Sequence, residues 1–207
     1  KVTKATLYCS ALGYYEAFFN NNRVGKFIFA PGWTSYGKRI QVQKYDVTKY
    51  IEEVNTLDIA LGNGRRYHGN ANEHYESITS KEEALIAALL IEYEDGTTDF
   101  YPTDASWKCA KSNIIYSHVY NGETIDFNAN TDEEFEVSVL DDISKDILVP
   151  TIGEETREMA QLDAVELIKT PKGEIVIDFG QNLTGYVEWV VPARKGAEFT
   201  LYHSEIL

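Results

Sequence analysis

The sequence is poor in the residues around which catalytic and metal centres are commonly built. It has two cysteines, Cys9 and Cys109, with no spacing that argues for a zinc site, and whether they pair stays open. Its four histidines, His68, His74, His118 and His203, show no metal-ligand spacing, and no EF-hand-like loop is present. Positive charge is scarce: 19 Lys and Arg against 33 Asp and Glu give a net charge of −14. Such a surface repels phosphate backbones and anionic membranes, so neither nucleic acid nor a bilayer is expected as a partner. No apolar run approaches the roughly 20 residues that span a bilayer; the longest, Ala84–Ile91, has the length of a buried strand. Lys1 opens directly into strand-like sequence, which argues against a signal peptide at this start. The expected compartment is the cytoplasm, with secretion the alternative.

What the chain has instead is β-forming sequence. Fourteen tyrosines and nine phenylalanines stand against a single methionine, the balance of a strand-rich protein. Short apolar segments alternate with turn signals and no long amphipathic helix interrupts them, which is the rhythm of an all-β sandwich. Asn20–Asn22 and Asp95-Gly96 read as hairpin tips. In "KRIQVQKY", Ile40 and Val42 alternate with Gln41 and Gln43, which predicts an apolar face inward and an amide face outward. Asp46 is placed to cap a single helical turn. A charged, weakly patterned stretch, 141–162, separates this first sandwich from three expected strands at 174–178, 185–191 and 198–203. Three strands make a poor independent core, so the second domain is expected to be incomplete and prone to self-association through its open edge.

Four places could carry chemistry. Asp178-Phe179-Gly180 imitates a kinase magnesium motif, but the Gly-rich loop, β3 lysine and HRD loop that a kinase needs are missing. A turn with Asp178 ending a strand is the plainer reading. "LGNGRRYHG" lacks the glycine pattern and following helix of a phosphate cradle; it reads as a bent rim loop in which Arg65 could bond vicinal hydroxyls and Tyr67 stack on a sugar. Glu123 and Asp126 are the most suggestive carboxylate pair, but an odd spacing on a strand sends them to opposite faces unless Gly122 opens a turn. Bonding loop amides is their alternative role. Trp33 lies in the loop "APGWT" and not in an alternating strand, unlike Trp107 and Trp189. Trp33, Arg65, Tyr67, Glu123 and Asp126 are therefore the candidate sugar contacts, with no catalytic residue among them.

The order and spacing of "SALGYYEAFFNNNRVG", "APGWTSYGKRIQVQKYDVT", "LGNGRRYHG", "YNGETIDF", "DFGQNLTGYVEWVV" and "LYHSEIL" resemble the non-catalytic β-domains of bacterial α-L-rhamnosidases. The resemblance implies a jelly-roll-like β-sandwich over residues 1–145 and the start of a second β-sandwich over 146–207. It implies an absent α/α-barrel catalytic domain as partner, which in the family hydrolyses terminal L-rhamnose with inversion and carries the acid and base. This chain alone is then expected to be inactive, a scaffold for that barrel. The alternative is a carbohydrate-binding module for L-rhamnose-containing glycans, which in some relatives depends on calcium; no other cofactor is implied. The sequence departs from the family pattern at Ser35 (for Asp), Asn22 (for Gly), Arg65 (for Trp), Ile125 (for Tyr) and Asn128 (for Arg). These departures predict weak or absent sugar binding.

Overall fold

The computed structural model describes residues 1–64, 83–118, 122–191, 195, 196 and 198–204. It divides into two compact units, Lys1–Glu158 and Met159–Leu207. The first unit holds strands β1 (Val2–Leu12), β2 (Tyr14–Phe19), β3 (Asn22–Arg23), β4 (Ile40–Asp46), β5 (Leu57–Gly62), β6 (Ala84–Tyr93), β7 (Thr98–Pro102), β8 (Lys108–Ala110), β9 (Ile114–His118), β10 (Gly122–Ile125), β11 (Glu134–Glu136) and β12 (Leu148–Pro150). The second holds β13 (Glu166–Lys169) and β14 (Ile175–Asp178). The protein is all-β, as the sequence rhythm predicts.

A five-stranded sheet runs in the order β12-β4-β1-β6-β7, and β3-β2-β5 form a second, three-stranded sheet. β1 is central, and its run from Ala5 to Leu12 is almost continuously buried, as expected of a strand covered on both faces. Its residues Ala5, Leu7, Cys9 and Ala11 share one core with Tyr15, Ala17 and Phe19 of β2. The alternation on β2 is strict, so one side enters the core while Glu16 faces water. Burying a side chain the size of Leu7 or Phe19 contributes about 1.5–3 kcal/mol each. Between β1 and β2 the chain crosses from one sheet to the other at Gly13. There φ is +119°, and a Cβ would stand 2.3 Å from the Gly62 carbonyl oxygen.

The turns follow the sequence. Asn20 and Asn21 carry positive φ (47° and 61°) between β2 and β3, the backbone that a two-residue hairpin requires. Asp95-Gly96 turns β6 into β7. Asp46 accepts bonds from the Thr48 amide (3.0 Å) and hydroxyl (2.6 Å) ahead of the single 3-10 turn Thr48–Tyr50.

Two expectations fail. The first is the face of β4: Gln41 and Gln43 point inward, 8% and 1% exposed. They are tolerated there because their amides are bonded. Gln43 accepts from the Tyr15 hydroxyl (2.8 Å) and donates to the Pro31 carbonyl (3.1 Å) and Thr151 Oγ1 (3.1 Å). Gln41 donates to Pro31 (3.3 Å) and accepts from the Ile152 amide (2.7 Å). The Tyr15 hydroxyl, bonded also to Tyr45 (3.1 Å), has its single proton and its acceptor site both used.

The second failure lies in the other unit. β13 and β14 form a hairpin closed at Thr170–Glu174. Residues 185–191 and 198–203 are not strands; among the described residues no ladder forms on them. A strand exists only where a neighbour takes its amides and covers its side chains. Here Tyr186, Val190 and Tyr202 stay exposed.

Two substitutions test this account by urea unfolding. Tyr15→Phe leaves the Gln43 carbonyl oxygen short of a donor and should lower stability by about 1–3 kcal/mol. Gly13→Ala should be more damaging, giving a poorly folded first unit, because the Cβ meets backbone and not a movable side chain. Unchanged midpoints in both would remove Gly13 and the buried amide face as determinants of the fold.

Candidate functional site

The end of the first unit where β1 passes into β2 is assembled by glycine contacts. Gly64 sits against that corner so closely that a Cβ would stand 2.9 Å from the Gly13 carbonyl carbon and the Tyr14 nitrogen. The bend at 62–64 is therefore pinned to Tyr14. The Tyr14 ring in turn meets Phe29, with centroids 5.1 Å apart. Phe29 has φ +65°, a backbone region that non-glycine residues occupy only when their surroundings enforce it. It remains 55% exposed, and Trp33, four residues on, 56%.

The loop that carries these rings is braced by its own polar groups. The Gly32 amide donates to the Phe29 carbonyl (2.9 Å), and Lys38 and Arg39 amides both donate to Ser35 (2.7 and 3.0 Å). The Thr34 hydroxyl donates to the Arg39 carbonyl (2.5 Å) and the Tyr36 hydroxyl to that of Gly32 (3.4 Å). Bracing of this kind holds an exposed ring in place before any ligand arrives, which lowers the ordering cost of binding.

On its other side the same bend reaches the β9–β10 hairpin. The Asn63 side chain donates to the Ser117 carbonyl (3.1 Å), and Ser117 lies opposite Glu123 in the ladder. Trp33's loop and Glu123's strand thus flank one bend. Asp126 is committed elsewhere: its carboxylate accepts from the Asn128 amide (2.9 Å) within its own loop, while its backbone amide donates to Asn113 (2.8 Å). A register shift between Thr124 and Ile125 separates the two acids. Arg65 and Tyr67, which follow the bend directly, lie outside the described residues. Sequence reading overlooked Tyr14 and Phe29. The signal was present, since Tyr14 falls on the outward phase of β2 and Phe29 immediately precedes the "APGW" turn.

A concavity of about 370 Å³ lies toward the opposite end of β1, lined by Val2, Glu52, Leu89, Ile91 and Tyr101 among others. Tyr93 also lines it; its hydroxyl and that of Tyr101 both donate to one oxygen of Asp99 (2.7 and 3.3 Å), and this bond raises the Tyr93 pKa. Of the candidate residues that are described, Trp33, Glu123 and Asp126 do not line it.

The buried titratable groups of this unit are not poised for chemistry. Burial pushes the Cys9 thiol up to about 12 and the Tyr45 phenol up to about 12, and raises Tyr15 further. Three exposed aspartates, Asp46, Asp95 and Asp104, are shifted the other way by hydrogen bonds from the residue two positions on. Asp178 does the same structural work: its carboxylate accepts from the Gly180 amide (2.7 Å) where β14 ends, and Gly180 has φ +76°. The kinase-like tripeptide is a turn. Among the described residues no group of three or more His, Cys, Asp or Glu could hold a metal ion.

A family model of the alpha-L-rhamnosidase N-terminal domain matches residues 1–167, and one of the bacterial alpha-L-rhamnosidase concanavalin-like domain matches residues 168–207. An alpha-L-rhamnosidase of Streptomyces avermitilis is 34% identical over 219 residues, covering 100% of this chain and 21% of that protein. Among solved structures, native alpha-L-rhamnosidase from Aspergillus terreus superposes with a TM-score of 0.77 at 31% identity, over 88% of this chain and 22% of that one. The Streptomyces avermitilis enzyme complexed with L-rhamnose gives 0.75 at 33% identity, over 88% and 19%. The chain therefore spans about a fifth of the length of these relatives.

The thiols offer a direct test of the burial argument. In native protein at pH 8 one equivalent of thiol, Cys109, should react promptly with an aromatic disulfide reagent, and Cys9 only after unfolding. Two equivalents reacting at one fast rate would mean that Cys9 is not shielded.

Proposed function

Because this chain belongs to the α-L-rhamnosidase family, matching its N-terminal and concanavalin-like domains, we propose that it is the non-catalytic N-terminal region of a bacterial α-L-rhamnosidase. It serves as a scaffold for an α/α-barrel catalytic domain in the parent protein, which removes terminal L-rhamnose from glycosides. The observation that carries this reading is the end-to-end match to about a fifth of larger enzymes. The commitment of Asp126 to its own turn supports it, because an inverting glycosidase needs two free carboxylates about 6.5–9.5 Å apart. Two domains are proposed within the chain. The sequence suggests a division between residues 145 and 146, whereas the compact units divide between 158 and 159 and the family models between 167 and 168.

A second reading, sugar recognition at the rim, is supported by the braced, half-exposed Phe29 and Trp33. An aromatic face, Tyr67 among the candidates, covers the apolar side of a sugar ring, and Arg65 and Glu123 would supply polar contacts.

Incubated with an aryl α-L-rhamnoside, the purified chain should release no phenol above buffer. Turnover that Glu123→Gln or Asp126→Asn abolishes would overturn the scaffold reading. Calorimetry with L-rhamnose, with calcium and then with chelator, addresses the second reading. Binding no tighter than millimolar, about −4 kcal/mol, is expected. Heat lost in Trp33→Ala would assign it to the rim. The exposed apolar side chains of residues 159–207 predict self-association of the isolated chain, and a strict monomer by light scattering at high concentration would contradict that.

A further inference from the structure

We propose that residues 148–156 form a strap that holds the Phe29–Trp33 loop in place, with Gln41, Gln43 and Thr151 as positioning residues for Trp33. The inference does not depend on what the rim binds. The loop is fastened to the strap at two points. At its start, the Ile28 amide donates to the Thr156 carbonyl (2.8 Å). In its middle, the Pro31 carbonyl accepts from both Gln41 Nε2 (3.3 Å) and Gln43 Nε2 (3.1 Å). The same two side chains continue to the strap, Gln41 Oε1 to the Ile152 amide (2.7 Å) and Gln43 Nε2 to Thr151 Oγ1 (3.1 Å).

Each glutamine is therefore a bridge with the loop at one end and the strap at the other. The strap is held in turn by β4, through the parallel pairs Leu148 with Ile40 and Pro150 with Val42. Thr151 closes the arrangement, because its hydroxyl donates to the Val42 carbonyl (3.1 Å) while it accepts from Gln43. Its backbone amide donates to the same carbonyl (3.2 Å).

The network leaves little slack. Gln43 is 1% exposed, so a proton on its amide that loses Thr151 finds no water without movement of the strap or loop. Gly32 packs against Gln41: a Cβ there would stand 2.9 Å from Nε2. If the strap lifts, both glutamines lose partners, and the Pro31 carbonyl is held by amides free to turn. Trp33, two residues beyond Pro31, moves with it. The position of the exposed ring is thus set by residues more than a hundred positions along the chain.

Hydrogen exchange on the intact chain tests this without mutation. The amides of Ile28, Thr151 and Ile152 should exchange slowly and at opening equilibria within about threefold of each other, as one cooperative unit. Thr151→Val keeps the side-chain shape and removes the hydroxyl. It should speed Ile28 exchange by about tenfold, the loss of roughly one buried hydrogen bond, and shift the Trp33 indole N–H resonance. Leu89 exchange in β6 should stay unchanged, and Thr151→Ser should restore the original values. Fast exchange at Ile28 beside protected Thr151 and Ile152 would overturn the proposal, as would an unmoved Trp33 resonance in folded Thr151→Val. If that variant fails to fold, the wild-type exchange pattern decides alone.

Discussion

Two amides buried on the wrong face of a strand organise the first unit. A carboxamide without partners inside a protein costs about 1–3 kcal/mol, so Gln41 and Gln43 can face inward only if other segments come to meet them. Three do: β2 through Tyr15, the aromatic loop through Pro31, and the strap through Thr151 and Ile152. Apolar contacts would tolerate small slips among these segments. Directional bonds do not, and the register of the parts around β4 is set by them.

Five of the chain's aspartates fasten turns. Asp46, Asp95 and Asp104 each take the amide and the hydroxyl of the Thr or Ser two positions on. Asp126 and Asp178 take the amides of Asn128 and Gly180. Each shift of the first three is downward, so whatever these bonds add to stability is present above the carboxylate's ordinary pKa and lost as pH falls through the lowered one. All five are turn fasteners.

Local signals in the sequence proved legible where a single residue type dictates backbone shape. The Asn20-Asn21 and Asp95-Gly96 tips and the Asp178 turn were all readable, because left-handed backbone and side-chain-to-amide bonds are properties of a few adjacent residues. The inward face of β4 was not readable. Binary patterning scores glutamine as outward, and the partners that reverse this, Pro31 and Thr151, lie 12 and 108 positions from Gln43. The strands suggested at 185–191 and 198–203 failed for the complementary reason: local β preference is met, but among the described residues no partner strand forms on them. Of the candidate site, Trp33 could be found because it sits in a Pro-Gly loop outside the alternating strand pattern. The tie between its loop and Glu123 runs through Asn63 and Ser117, 54 positions apart, and has no local signature.

The parallel pairing of β12 with β4 has a consequence for synthesis. When Gln43 leaves the ribosome, Thr151 has yet to be made, 108 residues later. At about 5–20 residues per second that gap lasts on the order of 5–20 s. Over this interval β4 exists without the strand that pairs with its outer edge, and contacts of such long range are slow to form. The β4 edge therefore stays open until residues 148–150 have emerged, which makes it the last edge of the five-stranded sheet to be covered.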